Sequence, residues 1–588
     1  MSDLKSIWFD KIDRECPLCE YPRPQIKRES WICLNGEFDY AVTNDTADMP
    51  ESYDGKILVP FSIESAASGV GRTVTAKDRI WYRRKFTLTE DFKGKRTLLN
   101  FEAVDWQCSV WVNSKLMGEH TGGYNPFSFD ITDALVEGEN ELVVKVFDPT
   151  DEGHQQRGKQ VQETHGFWYT ATSGIWQTVW LEPVNYCRIE SIKLIPDIDR
   201  NVIGLKVNHT CSCSGKLFAK VFEGEKVIFD GEISSDAEIP VPYAKLWSPE
   251  NPFLYELELV LDCDGEKDEV KSYFGMRKFS IMNDSKGKPR LALNNKPYFQ
   301  KGLLDQGYWP ESQLTPPTDE AMIFDIEKMK ELGFNMLRKH IKTEPRRWYY
   351  HCDRLGMLVW QDMVSGGQYI GNVLAGVLPN LSINVKDNTD FMHKSFKREK
   401  PEWREEFKRE LFEMIDNLYN SVSICCWVPF NEGWGQFDAK EIGIKVKEYD
   451  PTRFVDHASG WHDQKGPDFR SMHRYIVPVT PPTPLTKAGR PYVLSEYGGY
   501  SWNIEGHVWN AKKSFGYIMF NNSKALSKAY AFLHKSQIIP LIKAGLSATV
   551  YTQVSDVEFE VNGIYSYDRK VLKLDKDMLI DINSKLTY

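Results

Sequence analysis

Two apolar runs in this chain each stop at a glutamate, and few folds accommodate that pattern. Val422 to Phe430 ends abruptly in Asn431-Glu432-Gly433. Val422, Ile424, Trp427, Val428 and Phe430 read as a strand buried on both faces, as in the wall of a parallel barrel. A carboxylate just past the C-terminal end of such a strand sits where (β/α)8 barrels keep their chemistry. The pattern recurs at Pro491-Tyr-Val-Leu-Ser-Glu496, followed by Tyr497 and a Gly498-Gly499 pair that lets the backbone turn tightly.

The surroundings of both runs alternate strand and helix patterns. Met322, Ile326, Met329 and Leu332 share one face of a helix predicted to start at Thr318-Asp319 and stop at Gly333. A strand over Asn335–His340, a helix over Arg346–Leu355 and a strand from Met357 to Trp360, ending in Gln361-Asp362, follow. Helices are predicted over Glu402–Tyr419, Ala439–Tyr449 and Ser523–Ala544, and strands near Phe454–His457, Arg470–Ile476, Tyr492–Glu496 and Ser547–Gln553. This alternation predicts a TIM barrel over residues 284–588, with the long Gly366–Lys400 connection shaping its mouth. Upstream the period is two, as in Trp81–Leu88, Ser109–Asn113 and Glu141–Phe147. Residues 1–185 are therefore expected to form an antiparallel sandwich, and residues 186–283 an immunoglobulin-like sandwich.

A net charge of −10 argues against nucleic acid as a partner. No stretch reaches the ~18 apolar residues of a membrane span, and the N-terminus lacks a signal-peptide pattern, so a cytoplasmic location is expected. The 11 cysteines are scattered and read as reduced thiols; Cys16-Pro-Leu-Cys19 is a lone CxxC without a zinc-like second pair. The 18 tryptophans suit sugar stacking and aromatic β-cores equally.

Two strand-end glutamates facing one barrel mouth are the minimum equipment of a retaining glycosidase. Glu432 is expected to be the acid/base, its pKa raised by the other carboxylate, and Glu496 the nucleophile. Asn431 is placed to hydrogen-bond the sugar 2-OH. Trp434, Trp461 and Trp502 follow strand ends and can stack on sugar or pack a lid, and Asp362 can bind a hydroxyl or cap its turn. A carbohydrate-binding protein with a dead barrel is the alternative; the intact glutamates speak against it.

The chain also resembles glycoside hydrolase family 2. The resemblance is carried by Trp81-Tyr-Arg-Arg, Phe101-Glu-Ala-Val-Asp105, Trp111-Val-Asn, Gly122-Gly-Tyr-x-Pro-Phe127 and Ser173-Gly-Ile-Trp-Gln-Thr-Val-Trp180. In the barrel it is carried by Gly333-Phe-Asn-Met-Leu-Arg338-x-His340, Phe430-Asn-Glu432-Gly-Trp434 and Ser495-Glu496-Tyr-Gly. It implies a jelly-roll, sugar-binding-like topology for the sandwich of residues 1–185, and retaining, exo-acting hydrolysis with Glu432 and Glu496 in the roles above. It further implies that Arg338 and His340 lie near the nucleophile and the sugar, that Tyr475 hydrogen-bonds the nucleophile, and that His473 contacts the sugar. Glucuronidases of the family pair the substrate carboxylate with an Asn-x-Lys; the matching positions here are Glu560 and Asn562. An acid there repels a uronate unless another cation compensates, so a neutral sugar is expected, with a β-galactoside as the leading case. β-Glucuronide, α-L-arabinoside and β-mannoside are the alternatives. Tyr551 or Gln553 stands where the family commonly has a tryptophan platform. The reaction calls for no metal or cofactor, a homo-oligomer is compatible with the resemblance, and the N-terminal sandwich is expected to contact sugar, to buttress the barrel mouth or to form an oligomer interface.

Overall fold

The structure is a computed structural model that describes residues 4–45, 48–210, 215–371, 373–380, 383–480 and 489–588. Its C-terminal part is a parallel barrel. The strands are β1 (Gln300–Asp305), β2 (Met336–Lys339), β3 (Leu358–Asp362), β4 (Ile424–Val428), β5 (Phe454–Val455), β6 (Arg470–Arg474), β7 (Tyr492–Gly498) and β8 (Leu546–Thr552). They are hydrogen-bonded in the order β5-β4-β3-β2-β1-β8-β7-β6, so backbone pairing runs round the ring from β5 to β6. Side chains span the remaining seam. Asp468 accepts from the Val455 amide at 2.8 Å, and Ser471 Oγ donates to Asp456 at 2.8 Å.

The helices form where apolar spacing and caps agree. Thr318 caps the helix Asp319–Glu331 by accepting from the Ala321 amide, and that helix buries Met322, Ile326 and Met329. Arg346–Leu355 and Ala439–Tyr449 have the predicted ends, and Pro401–Leu418 buries Phe407, Leu411, Met414 and Ile415. The helix predicted over Ser523–Ala544 is interrupted. A wider turn at His534–Ile538 separates Ser523–Leu533 from Ile539–Ala544. Pro540 accounts for the break, because it lacks the amide hydrogen that an uninterrupted α-helix would use there.

The N-terminal sandwich packs a six-stranded sheet against a four-stranded one. Phe38, Ile57, Ile80, Leu99, Val110, Val144 and Val179 lie in their shared core. The middle unit pairs a three-stranded with a four-stranded antiparallel sheet, as in an immunoglobulin-like sandwich. Chain before the first sandwich strand docks on the barrel, with Trp8 edge-on to Trp309 at 5.5 Å. The first sandwich also touches the barrel mouth. The Arg157 amide donates to the Ser365 carbonyl at 3.1 Å, Gln156 to Glu410 at 3.0 Å, and the Thr170 amide to Glu558 at 2.9 Å. Among the described residues no helix is long and apolar enough to cross a membrane.

Candidate active site

The two strand-end glutamates meet at the C-terminal mouth of the barrel. Glu432 follows β4, its amide bonded to the Ser459 carbonyl at 3.0 Å, and holds a φ of +53°. Positive φ at a non-glycine residue is uncommon and aims this side chain off the strand direction. Glu496 lies within β7. Side-chain atoms of Glu432, His473 and Glu496 lie within 4.8 Å of one another. This spacing matches the roughly 5–5.5 Å of retaining glycosidases rather than the roughly 6.5–9.5 Å of inverting ones.

Arg338, on β2, organises the floor of the site and has no solvent exposure. Its guanidinium grips Asp362 with two bonds, at 2.9 and 3.0 Å, and donates to Glu496 Oε1 at 3.0 Å, the Ser495 carbonyl at 3.0 Å and Asn431 Oδ1 at 2.8 Å. Burial alone would lower its pKa, but Asp362 and Glu496 outweigh this and hold it above the ordinary value. Tyr475 Oη donates to Glu496 Oε2 and lies 3.1 Å from Thr552 Oγ1. Glu496 thus accepts from two strong donors, an arrangement that suits an anion.

Glu432 has the opposite environment. Burial raises its pKa to about 7, with the charges of Lys159 and Arg338 pulling it down and Glu560 pushing it up. The expected cause, repulsion by Glu496, gives way to desolvation. The side chain stays 13% exposed, enough to face a substrate. His473 bridges the two acids: Nδ1 lies 2.7 Å from Glu432 Oε1 and 3.5 Å from Glu496 Oε2. Arg338 can only donate, and its approach to Nε2 at 3.4 Å leaves the proton on Nδ1. Burial lowers the His473 pKa to about 4, so the ring is neutral at ordinary pH.

Several positions differ from expectation. Asp362 is closed to sugar, because both oxygens are taken by Arg338 and His340 Nδ1 contacts Oδ2 at 2.9 Å. His473 is held between the acids rather than free for a sugar hydroxyl. Tyr551 faces away from the mouth. Side chains alternate along a strand, so Thr552 points to Tyr475 while Tyr551 packs edge-on against Tyr497 at 5.5 Å and Tyr530 at 4.9 Å. Trp502 packs against the barrel's outer core. Trp434 stacks on Trp168 at 4.9 Å, which commits one of its faces. Trp461 stays beside the site, its ring 6.3 Å from that of His473.

Glu560, Asn562 and Gln553 form one chain of bonds. Gln306 donates to Gln553 at 2.8 Å, Gln553 to Asn562 at 2.7 Å, Asn562 to Glu560 at 2.9 Å, and Tyr169 Oη also donates to Glu560. The Nδ2 of Asn431 is buried without a hydrogen-bond partner among the described residues. Tyr517, absent from the sequence reading, stacks on Tyr475 at 3.9 Å and lies within electrostatic reach of Glu432, Glu560 and Glu496. Gly499 has a φ of +64°, and a Cβ there would stand 2.4 Å from the Tyr517 ring. The second glycine after Glu496 thus permits the stack as well as the turn. The Glu432-His473-Glu496 cluster is spaced to hold a cation, but an ion there would occupy the acids themselves.

This double-carboxylate mouth under a β-sandwich coincides with three matches along the chain. Residues 32–183 match the sugar binding domain of family 2 glycosyl hydrolases, residues 191–277 the domain described simply by the family name, and residues 288–574 the TIM barrel domain. The chain belongs to glycosyl hydrolase family 2. Family 2 relatives include a β-galactosidase of Thermoanaerobacter pseudethanolicus, 26% identical over 73% of this chain and 55% of its own length. A β-glucuronidase of Bacteroides fragilis is 26% identical over 72% of this chain and 60% of its own length. The chain spans about half or less of the first curated relatives, at 55%, 35% and 40%. The solved structure of an uncultured Clostridium β-glucuronidase covers 96% of this chain and 99% of its own, with a TM-score of 0.73 and 17% identity, and so speaks to fold alone.

Proposed function

We propose that this chain is a retaining, exo-acting β-glycosidase. The observation that carries the reading is the pair of barrel-mouth carboxyls with atoms within 4.8 Å, one raised to about 7 and the other bound by Arg338 and Tyr475. Glu496 attacks the anomeric carbon while Glu432 gives its proton to the departing oxygen, and a glycosyl ester forms on Glu496. Glu432, now ionised, takes a proton from water; that water attacks the anomeric carbon and expels the Glu496 carboxylate. His473 donates to Glu432 Oε1, which leaves Oε2 to carry the mobile proton. The unpartnered Nδ2 of Asn431 donates to a sugar hydroxyl, as a buried orphan donor requires. His340 offers its second ring nitrogen to another.

The sugar is the finer question. Relatives carry the names β-galactosidase and β-glucuronidase. A β-galactoside is the reading that Glu560 and Asn562 support, whereas a buried lysine at the mouth, taken up below, favours the β-glucuronidase alternative. The test is a panel of nitrophenyl glycosides (β-galactoside, β-glucuronide, β-mannoside, α-L-arabinoside and β-glucoside), with Glu432→Gln and Glu496→Gln beside the wild type. Cleavage that disappears in the Glu496→Gln variant supports the mechanism. Undiminished turnover in that variant overturns it.

A further inference from the structure

Lys159 lies on the N-terminal sandwich, next to a two-residue strand, Gln160–Val161, that pairs in parallel with Tyr169–Thr170. Gln160 turns back into the sandwich, donating to Asp105 at 3.1 Å and to Tyr124 at 2.7 Å. Lys159, in the turn just before that strand, sends its side chain to a different place, beside the Phe167 and Tyr169 rings. Its ammonium sits 5.8 Å from the centre of the Phe167 ring and 5.4 Å from that of Tyr169. Those rings are parts of the mouth: Phe167 stacks with Trp434, two residues past Glu432, at 6.1 Å, and Tyr169 holds Glu560. The lysine's charge acts on both Glu432 and His340.

Only 6% of Lys159 is exposed, and among the described residues the contacts of its ammonium are the Phe167 and Tyr169 ring faces, with no hydrogen bond or ion pair. The stem of Lys159 is buried while its ammonium keeps access to the mouth, where the flanking aromatic faces attract the charge but accept no conventional hydrogen bond from it. The neighbouring acids do not answer it. Glu560 spends its oxygens on Tyr169 and Asn562, and Glu432 is the proton donor. Arg338 is saturated by Asp362, Glu496, Ser495 and Asn431. Lys159 is therefore a cation at the mouth with its donors unspent. A sugar hydroxyl would take one donor and leave the charge; a carboxylate takes the donors and neutralises the charge.

We infer that Lys159 binds the carboxylate of a terminal uronic acid, which makes the N-terminal sandwich part of the substrate site. This rests on the glycosidase reading above and supplies the compensating cation that Glu560 demands. Either a gluco- or a galacto-configured uronate presents the required group.

The test compares nitrophenyl β-glucuronide and β-galacturonide with the matched neutral glycosides, for the wild type, Lys159→Met and Lys159→Arg. The wild type is expected to prefer a uronide. Lys159→Met should lower kcat/KM for that uronide by about 10²- to 10³-fold, mostly through KM, and lower the uronide-to-neutral ratio; Lys159→Arg should restore part of it. Removing the charge should also move the alkaline limb of the pH profile upward on any substrate, which a purely structural role would not do. Neutral glycosides cleaved in preference to uronides, or a ratio unchanged by Lys159→Met, overturns this inference while the glycosidase stands. Calorimetric titration of free uronates against neutral sugars covers a chain that hydrolyses nothing. Preference for the anion then upholds the lysine's role as the glycosidase reading falls, and equal binding removes both.

Discussion

Replacing Glu432 with glutamine exposes an energetic cost built into the proposed proton donor. Burial lifts this carboxyl from 4.5 to about 7, so the folded chain holds the proton more tightly than the unfolded chain does. Each pH unit is worth ~1.36 kcal/mol, so the ionised form costs the fold about 3 kcal/mol. With 13% of the side chain in contact with solvent, about 2–3 kcal/mol is the expected range. The folded state binds the additional proton between the two pKa values. Wild-type stability should therefore be complete at the acid side, decline as pH rises through about 7, and level off beyond. The Glu432→Gln variant keeps the shape and the acceptor for His473 Nδ1 but never ionises. Its unfolding free energy from denaturant melts should match the wild type near pH 4.5 and exceed it at alkaline pH by about 2–3 kcal/mol. The variant should also lose far more activity on alkyl glycosides than on nitrophenyl glycosides, whose leaving group needs little protonation. Identical pH dependence of stability in the two proteins would refute the reasoning, because the cost of the buried charge would then be absent.

Other predictions follow from the same contacts. The wild-type kcat/KM should fall about tenfold per pH unit above about 7, as Glu432 loses its proton, when measured on a substrate whose own groups do not titrate there. Arg338→Met strands Asp362 and Glu496 without their shared cation; it should cost about 3–5 kcal/mol in denaturant melts and at least ~10²-fold in kcat. Arg338→Lys should recover little of either, because one ammonium cannot reproduce a fork that serves Asp362, Glu496 and Asn431 together. Tyr475→Phe removes a donor from Glu496 and should lower kcat about 10²-fold in steady-state assays, with KM less affected.

Local pattern sufficed for much of this molecule. An apolar run that stops at a glutamate is written in consecutive residues, so Glu432 and Glu496 were visible together with the strands that carry them. Helices such as Arg346–Leu355 were equally plain, since spacing and end signals are local. The errors lie where a residue's role depends on which face of a strand it occupies. Tyr551 and Thr552 are neighbours, yet only Thr552 reaches Tyr475, the tyrosine bonded to Glu496, and the register of the barrel decides which. Asp362 looked available because nothing in the sequence says that Arg338 and His340, from a neighbouring strand and the residue beyond it, would consume both oxygens.

The chain's own sequence thus determined the barrel, the two sandwiches and the pair of strand-end glutamates, because each follows from periodicity and strand-end chemistry over short stretches. Only the tertiary structure brought Lys159, Tyr517 and His473 to those acids, and only burial raised the Glu432 pKa to about 7. Desolvation and charge act through space, and the groups that exert them here come from distant strands, loops and a separate domain.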